Sequence, residues 1–112
     1  MFTRENIAKS IHEIISGYKV SIGELPYQPY DVGRWGGLLE ALIEYVENDI
    51  DGVTPEDIHD KWVSWAEQHD PLHASIIPFD EMSDTEKIKD WLVLETIKAH
   101  IAYGGIDLGN NG

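Results

Sequence analysis

Four segments of the chain carry apolar residues at the spacing of an amphipathic α-helix, and this pattern constrains the fold most strongly. The predicted helices span about 3–18, 35–47, 54–69 and 83–103. Within each segment the apolar side chains recur every three or four residues, which places them on one helical face. Because such faces are buried against one another, the sequence predicts a mainly α-helical, compact single domain. We expect about four helices joined by ordered loops and short extended segments.

The predicted helix boundaries rest on residues that favour helix ends. Thr3, Thr54 and Ser83 are each placed to act as an N-cap, and Pro55 follows Thr54 at the first helical position. Ser83 also begins the Ser-x-x-Glu pattern of a capping box. Gly17 is expected to end the first helix. The chain between the last two helices is expected to be briefly extended at 76–79.

The length of 112 residues fits one domain, which we place at 1–105 and follow with a flexible C-terminal tail at 106–112. No apolar run is long enough to span a membrane. The chain has no cysteine, and its first residues resemble a helix start more than a signal peptide. These observations favour a cytoplasmic protein. The oligomeric state stays open.

The charge is the most unusual bulk property, because 21 acidic residues face 8 basic ones and give a net charge of −13. Such a field repels nucleic acid and anionic membranes, so we predict direct binding to neither, and it attracts basic proteins. One stretch of the sequence contains eight acids and no lysine or arginine: Glu40, Glu44, Glu47, Asp49, Asp51, Glu56, Asp57 and Asp60. One hypothesis makes this stretch the partner-binding face of an acidic inhibitor or DNA mimic. The alternative is a solvated face that only keeps the protein soluble.

No pattern in the sequence predicts a catalytic, cofactor or metal site. The acidic loop before Gly52 fits the start of an EF-hand, but Ile58 stands where the closing bidentate glutamate belongs. The histidines have no recognised metal-ligand spacing. A weaker hypothesis is a hydrolase that joins His59 or His73 to Asp80 or Glu81. It requires a cleft that brings those side chains together.

The order of several short motifs resembles the RyR domain, the repeat of ryanodine receptors that also occurs alone in bacterial and phage proteins. The segments that carry the resemblance are 7–14 (Ile-Ala-Lys-Ser-Ile-His-Glu-Ile), 54–62 (Thr-Pro-Glu-Asp-Ile-His-Asp-Lys-Trp), 73–82 (His-Ala-Ser-Ile-Ile-Pro-Phe-Asp-Glu-Met) and 86–90 (Glu-Lys-Ile-Lys-Asp). The sequence departs from the family pattern at Ala74, where proline is usual, and in a shortened connection at 67–70.

The resemblance implies a non-catalytic binding module for a small nucleotide-like ligand or a protein partner, in a phage or bacterial defence context. The candidate ligand-binding residues are His12, Arg34, His59, Trp62, His73, Phe79, Asp80 and Glu81. Arg34 is included for a different reason, since it is a base beside the glycine-rich start of the second helix and so suits an anion. For Trp62 and Phe79 the alternative is a place in the core.

Overall fold

The computed structural model describes residues 3–24 and 26–103, apart from the side chain of Arg34. Its elements are α1 (Arg4–Ser21), α2 (Val32–Asn48), α3 (Pro55–His69), a short 3-10 helix (Phe79–Glu81) and α4 (Asp84–Tyr103). No β-strand occurs within the described ranges. The prediction of a mainly α-helical domain of about four helices is confirmed. The predicted tail at 106–112 lies outside the described residues.

Three of the helix starts are where the capping residues predict them. The Thr3 side chain accepts a hydrogen bond from the backbone N–H of Asn6 at 3.1 Å. Thr54 forms a full capping box with Asp57, in which each side chain accepts a hydrogen bond from the other residue's backbone N–H. Ser83 Oγ accepts from the backbone N–H of Glu86 at 3.3 Å. These bonds satisfy backbone donors that have no partner within the helix.

Two predicted boundaries are wrong. Gly17 does not end α1, which continues to Ser21, and the chain turns at Gly23 with a φ of +72°. Helix α2 begins at Val32, three residues earlier than expected, because the Asp31 side chain caps it by accepting from the backbone N–H of Gly33 at 3.0 Å.

All four helices share one core. Helix α4 packs against α1, α2 and α3, and α2 also contacts α1 and α3. The buried residues of this core are Ile7, Ala8, Ile11, Leu38, Leu39, Leu42, Ile43, Val46, Val53, Ile58, Leu94 and Ile97. In the described part of the chain, no helix has the length and apolar character needed to cross a bilayer.

Candidate functional site

A cleft of about 800 Å³ opens beside the core, and all four helices contribute to its walls. From α1 come His12, Ser16 and Lys19, and from the start of α2 comes Trp35. Glu24 comes from the segment after α1. The remaining polar and aromatic lining residues belong to α3, the loop that follows it and α4: His59, Trp62, Trp65, His69, Asp70, His73, Ser75, Glu86, Lys89 and Asp90. Four of the five histidines and three of the four tryptophans of the chain therefore line one cleft.

One row of aromatic rings, the Trp62 stack, follows α3 into the next loop. The indole of Trp62 lies nearly parallel to the imidazole of His59, with 5.8 Å between ring centroids. His73 meets the same indole edge-on at 5.0 Å. His59 is buried, Trp62 is half-buried and His73 is exposed, so the row runs from the interior to solvent.

A second row, the Trp65 stack, lies beside it. The imidazole of His69 is stacked on the Trp65 indole with 4.5 Å between centroids and 13° between planes. Trp35, from the first turn of α2, lies 5.7 Å from Trp65. The spacing of His59, Trp62, Ala66 and His69 places all four on one face of α3, which explains why one helix supplies most of the rings.

The floor of the cleft holds a buried pair, His59 and Asp90. His59 is 1% exposed, and its Nε2 lies 2.6 Å from the carbonyl oxygen of Ile77. Because a carbonyl oxygen only accepts, Nε2 carries a proton and donates it. The other ring nitrogen, Nδ1, lies 3.5 Å from Oδ2 of Asp90.

Burial raises the pKa of Asp90 to about 7, although a charged His59 opposes that rise. Nearby Glu86 and Asp60 raise the pKa further, and Lys89 lowers it. The raised pKa favours a proton on the Asp90 carboxyl near neutral pH, because an ionised carboxylate is poorly solvated in this buried position. Oδ2 is buried and has no hydrogen-bond partner among the described residues.

Lys89 forms the rim of the cleft next to this pair. Its Nζ lies 2.6 Å from Glu24 and 2.9 Å from Glu86. Burial lowers the pKa of Lys89, but the hydrogen bonds to the two carboxylates outweigh burial and leave the pKa raised. The lysine is therefore a charged bridge that joins α4 to the segment after α1, and its charge is balanced locally.

The structure brings together only some of the predicted ligand-binding residues. His12, His59, Trp62 and His73 line the cleft. The ring centroid of Phe79 lies 6.1 Å from that of His59. Phe79 does not line the cleft but lines a separate shallow depression together with Lys87.

Two other candidates, Asp80 and Glu81, do not contribute to the cleft. Asp80 and Glu81 are exposed on the 3-10 helix and do not line it. They are therefore not joined to His59 or His73, and the carboxylate–histidine pairing that the hydrolase hypothesis requires is not formed. The Arg34 side chain lies outside the described residues.

The residues of the predicted acidic face do not all remain free for a partner. Glu47 forms an ion pair with Arg4 at 3.0 Å, and Asp57 is held in the capping box of α3. The others are exposed: Glu40, Glu44, Asp49, Asp51, Glu56 and Asp60. Lys61 lies over the Tyr45 ring between α2 and α3, 4.6 Å from its centroid. Two of the eight acids thus have structural roles.

A family model described as a domain of unknown function, DUF7701, matches residues 39–102, which is more than half of the chain. The chain belongs to the DUF7701 family. The matched region contains most of α2, all of α3 and nearly all of α4. It therefore contains the His59–Asp90 pair and the Trp62 stack, whereas His12 and Trp35 precede it. No curated protein and no solved structure matches the chain.

Membership of the DUF7701 family corrects the resemblance to the RyR domain, which is wrong. The motifs that carried the resemblance have local structural explanations. Thr54-Pro55-Glu56-Asp57 is the capped start of α3, and Pro78-Phe79-Asp80-Glu81 is the turn before α4. Helix starts of this kind occur in unrelated helical proteins, so their order along the chain is a poor guide to ancestry.

Asp90 and Lys89 are site residues of this DUF7701 member that were not predicted, although Asp90 ends the motif segment 86–90. Helical periodicity contains a signal for Asp90, because it lies seven residues before Ile97 and four before Leu94, on the buried stripe of α4. A carboxylate at an apolar position is the kind of buried polar residue that warrants a functional hypothesis. Within the described ranges, no group of three or more histidine or carboxylate side chains is arranged to hold a metal ion.

Proposed function

We propose that this protein is a non-catalytic binding module whose cleft takes a small planar ligand. The observation that carries the proposal is the pair of aromatic stacks, whose outer rings meet an open cleft. Aromatic faces bind planar molecules by offset stacking and bind cations through the ring quadrupole. The volume of about 800 Å³ lies within the range of small-molecule sites.

The state of His59 supports binding over catalysis. A general base needs a nitrogen that can reach a proton on the substrate. Nε2 of His59 donates to Ile77, Nδ1 faces Asp90, and the residue is 1% exposed. Both ring nitrogens are therefore directed at the protein, and the pair is better suited to fixing the floor of a site than to transferring protons to a ligand.

The charge of the cleft bears on the ligand. Among the described lining residues, Lys19 and Lys89 face four carboxylates: Glu24, Asp70, Glu86 and Asp90. Lys89 is already bridged by two of them. A phosphate group would enter a region of negative potential, so we favour a nucleobase-like or other heteroaromatic ligand without phosphate over a nucleotide.

The test uses the indole N–H signals of the four tryptophans in a ¹H–¹⁵N spectrum. Benzimidazole, adenine and quinoline are added at millimolar concentration, with cyclohexanol as a non-planar control. We expect at least one planar compound to shift the Trp62 and Trp65 signals and to leave the Trp91 signal in place. Trp91 is a suitable internal reference because it is half exposed in the separate shallow depression beside Phe79.

Equal shifts at all four indoles, or no shift with any planar compound, would overturn the proposal. A His73→Ala variant adds a check that does not endanger the core, since His73 is exposed. Removing its edge-on contact with Trp62 should weaken binding several-fold. The matched control is His100→Ala on α4, because His100 does not line the cleft.

A further inference from the structure

One of the four carboxylates that line the cleft, Asp90, is placed to accept a hydrogen bond from a ligand. Asp90 lies on the stripe of α4 that also carries the buried residues Leu94 and Ile97, and its side chain is 14% exposed. Its neighbour Lys89 points its ammonium to Glu24 and Glu86, so the nearest lysine forms no ion pair with Asp90. The carboxyl group therefore keeps unused capacity to accept hydrogen bonds.

The two oxygens of Asp90 differ in their surroundings. Oδ2 is buried against Nδ1 of His59 at 3.5 Å. The side chain as a whole is 14% exposed and lines the cleft, so we assign the contact with the cleft to the other oxygen, Oδ1. An ionised carboxylate accepts hydrogen bonds only, and a buried acceptor without a donor is costly. A ligand that fills the cleft and displaces water must therefore bring a donor to Asp90.

The His59–Asp90 pair can adjust to such a donor. When the ligand donates to Oδ1, that bond favours the ionised form of Asp90, whose Oδ2 stays beside Nδ1 of His59. Hydrogen bonds to an ionised acceptor are about twice as strong as neutral ones. Basic ligands gain further from the four carboxylates that line the cleft.

We propose that the ligand is a planar amino-heterocycle, stacked on Trp62 with its amino N–H donated to Asp90. The class is defined by an exocyclic amino group beside a ring nitrogen, the arrangement found in aminobenzimidazoles and in guanine. This inference rests on the proposed function, because it names the ligand class of the same cleft.

The experiment compares two molecules of nearly equal shape, 2-aminobenzimidazole and 2-methylbenzimidazole, by calorimetric titration of the full chain near neutral pH. The amino compound should bind at least tenfold more tightly. Asp90→Asn should reduce that preference to about twofold or less, because it weakens binding of the amino compound more than binding of the methyl compound. Asp70→Asn is the matched control, since Asp70 also lines the cleft but is exposed at the end of α3, and it should retain the preference.

The outcomes separate the two proposals. If both compounds bind equally well to the unaltered chain, the ligand class is wrong and the planar-ligand site stands. If Asp70→Asn abolishes the preference as fully as Asp90→Asn does, the selectivity comes from the overall charge of the cleft and the role of Asp90 is refuted. If neither compound binds and no planar compound shifts the Trp62 signal, both proposals fail.

A second pair of ligands, both uncharged, tests whether the preference comes from the amino group or from the basicity of the ligand. Guanosine and inosine differ by one amino group, and neither is charged at neutral pH. We expect the same order of affinity, with guanosine the tighter, and the same loss of preference in Asp90→Asn. The folded state of each variant is checked by its far-ultraviolet circular dichroism. An inosine affinity equal to or above that of guanosine would count against the amino group as the feature recognised.

Discussion

The carboxylate of Glu24 lies 2.6 Å from the ammonium of Lys89, and this contact ties the chain after α1 to α4 across 65 residues of sequence. Glu86 holds the same ammonium from the preceding turn of α4. One lysine thus keeps two carboxylates from repelling each other at the rim of the cleft. Substitution of Lys89 alone would therefore remove both ion pairs at the rim of the cleft.

Replacing Lys89 with methionine should lower the free energy of unfolding by about 1–2 kcal/mol, because hydrogen bonds to charged groups are lost and two carboxylates are left facing each other. Urea unfolding followed by circular dichroism measures the change. Glu24→Gln is the comparison and should cost less than 1 kcal/mol, since this side chain is about one-third exposed. A larger loss in Glu24→Gln than in Lys89→Met would contradict the reading of Lys89 as the centre of the bridge.

The free energy of unfolding should depend on pH through the titration of Asp90. Its pKa rises from 3.8 to about 7 on folding, so the folded chain keeps a proton that the unfolded chain releases. Asp90 therefore does not lower the free energy of unfolding below about pH 4, where it is protonated in both states. It lowers that free energy progressively as the pH rises to about 7. A shift of that size corresponds to at most about 4 kcal/mol.

The measurement is the difference in unfolding free energy between the unaltered chain and Asp90→Asn from pH 4 to pH 8. Asparagine cannot ionise, so the unaltered chain should lose stability relative to the variant as the pH rises. Taking the difference removes the titration of carboxylates shared by both proteins. A difference that stays flat over this range would show that Asp90 titrates normally in the folded chain.

The capping box of α3 should be worth about 1 kcal/mol. Thr54→Ala removes a side chain that accepts from the backbone N–H of Asp57 at 3.2 Å and donates to its carboxylate at 3.0 Å. Ser64→Ala on the same helix is the control, because Ser64 only bonds back to the carbonyl of Asp60 and should be close to neutral. Thermal unfolding compares the two, and equal midpoints would argue against a stabilising cap.

Two glycines at the end of α1 should respond in opposite directions to alanine. Gly17 lies inside the helix with open space around a built Cβ, so Gly17→Ala should raise stability by about 0.5–1 kcal/mol. Gly23 has a φ of +72°, which an alanine adopts only with strain, so Gly23→Ala should lower stability by about 1 kcal/mol. Chemical denaturation of both variants checks the signs, and a stabilising Gly23→Ala would contradict the turn geometry.

The helices could be predicted from the sequence where their ends are local events. Thr54 and Ser83 satisfy backbone donors within three residues, so the pattern alone reveals them. The start of α2 is also capped locally, by Asp31, but Gly33, Gly36 and Gly37 are poor helix formers and hide it in the sequence. That turn is also supported by tertiary packing, in which the Trp35 ring packs against Trp65, thirty residues later, at a tilt of 30°.

The site was predictable only in part for the same reason. His59 and Trp62 lie one turn apart on α3, and their proximity follows from helical spacing. Asp90 reaches His59 because α3 and α4 pack together, and no local pattern in the sequence encodes the angle or register of that contact. The aromatic character of the cleft was likewise hidden, since tryptophans at helical spacing are equally suited to a core.

The position of the family match within the fold has a consequence for how relatives diverge. The matched region, residues 39–102, supplies the floor of the cleft, whereas the α1 wall with His12 and the rim at Trp35 precede it. A relative that keeps only the matched region would inherit the buried His59–Asp90 pair and lose the facing wall. If the cleft binds a ligand as proposed, exchange of α1 alone would change which ligands fit while the floor of the cleft stays the same.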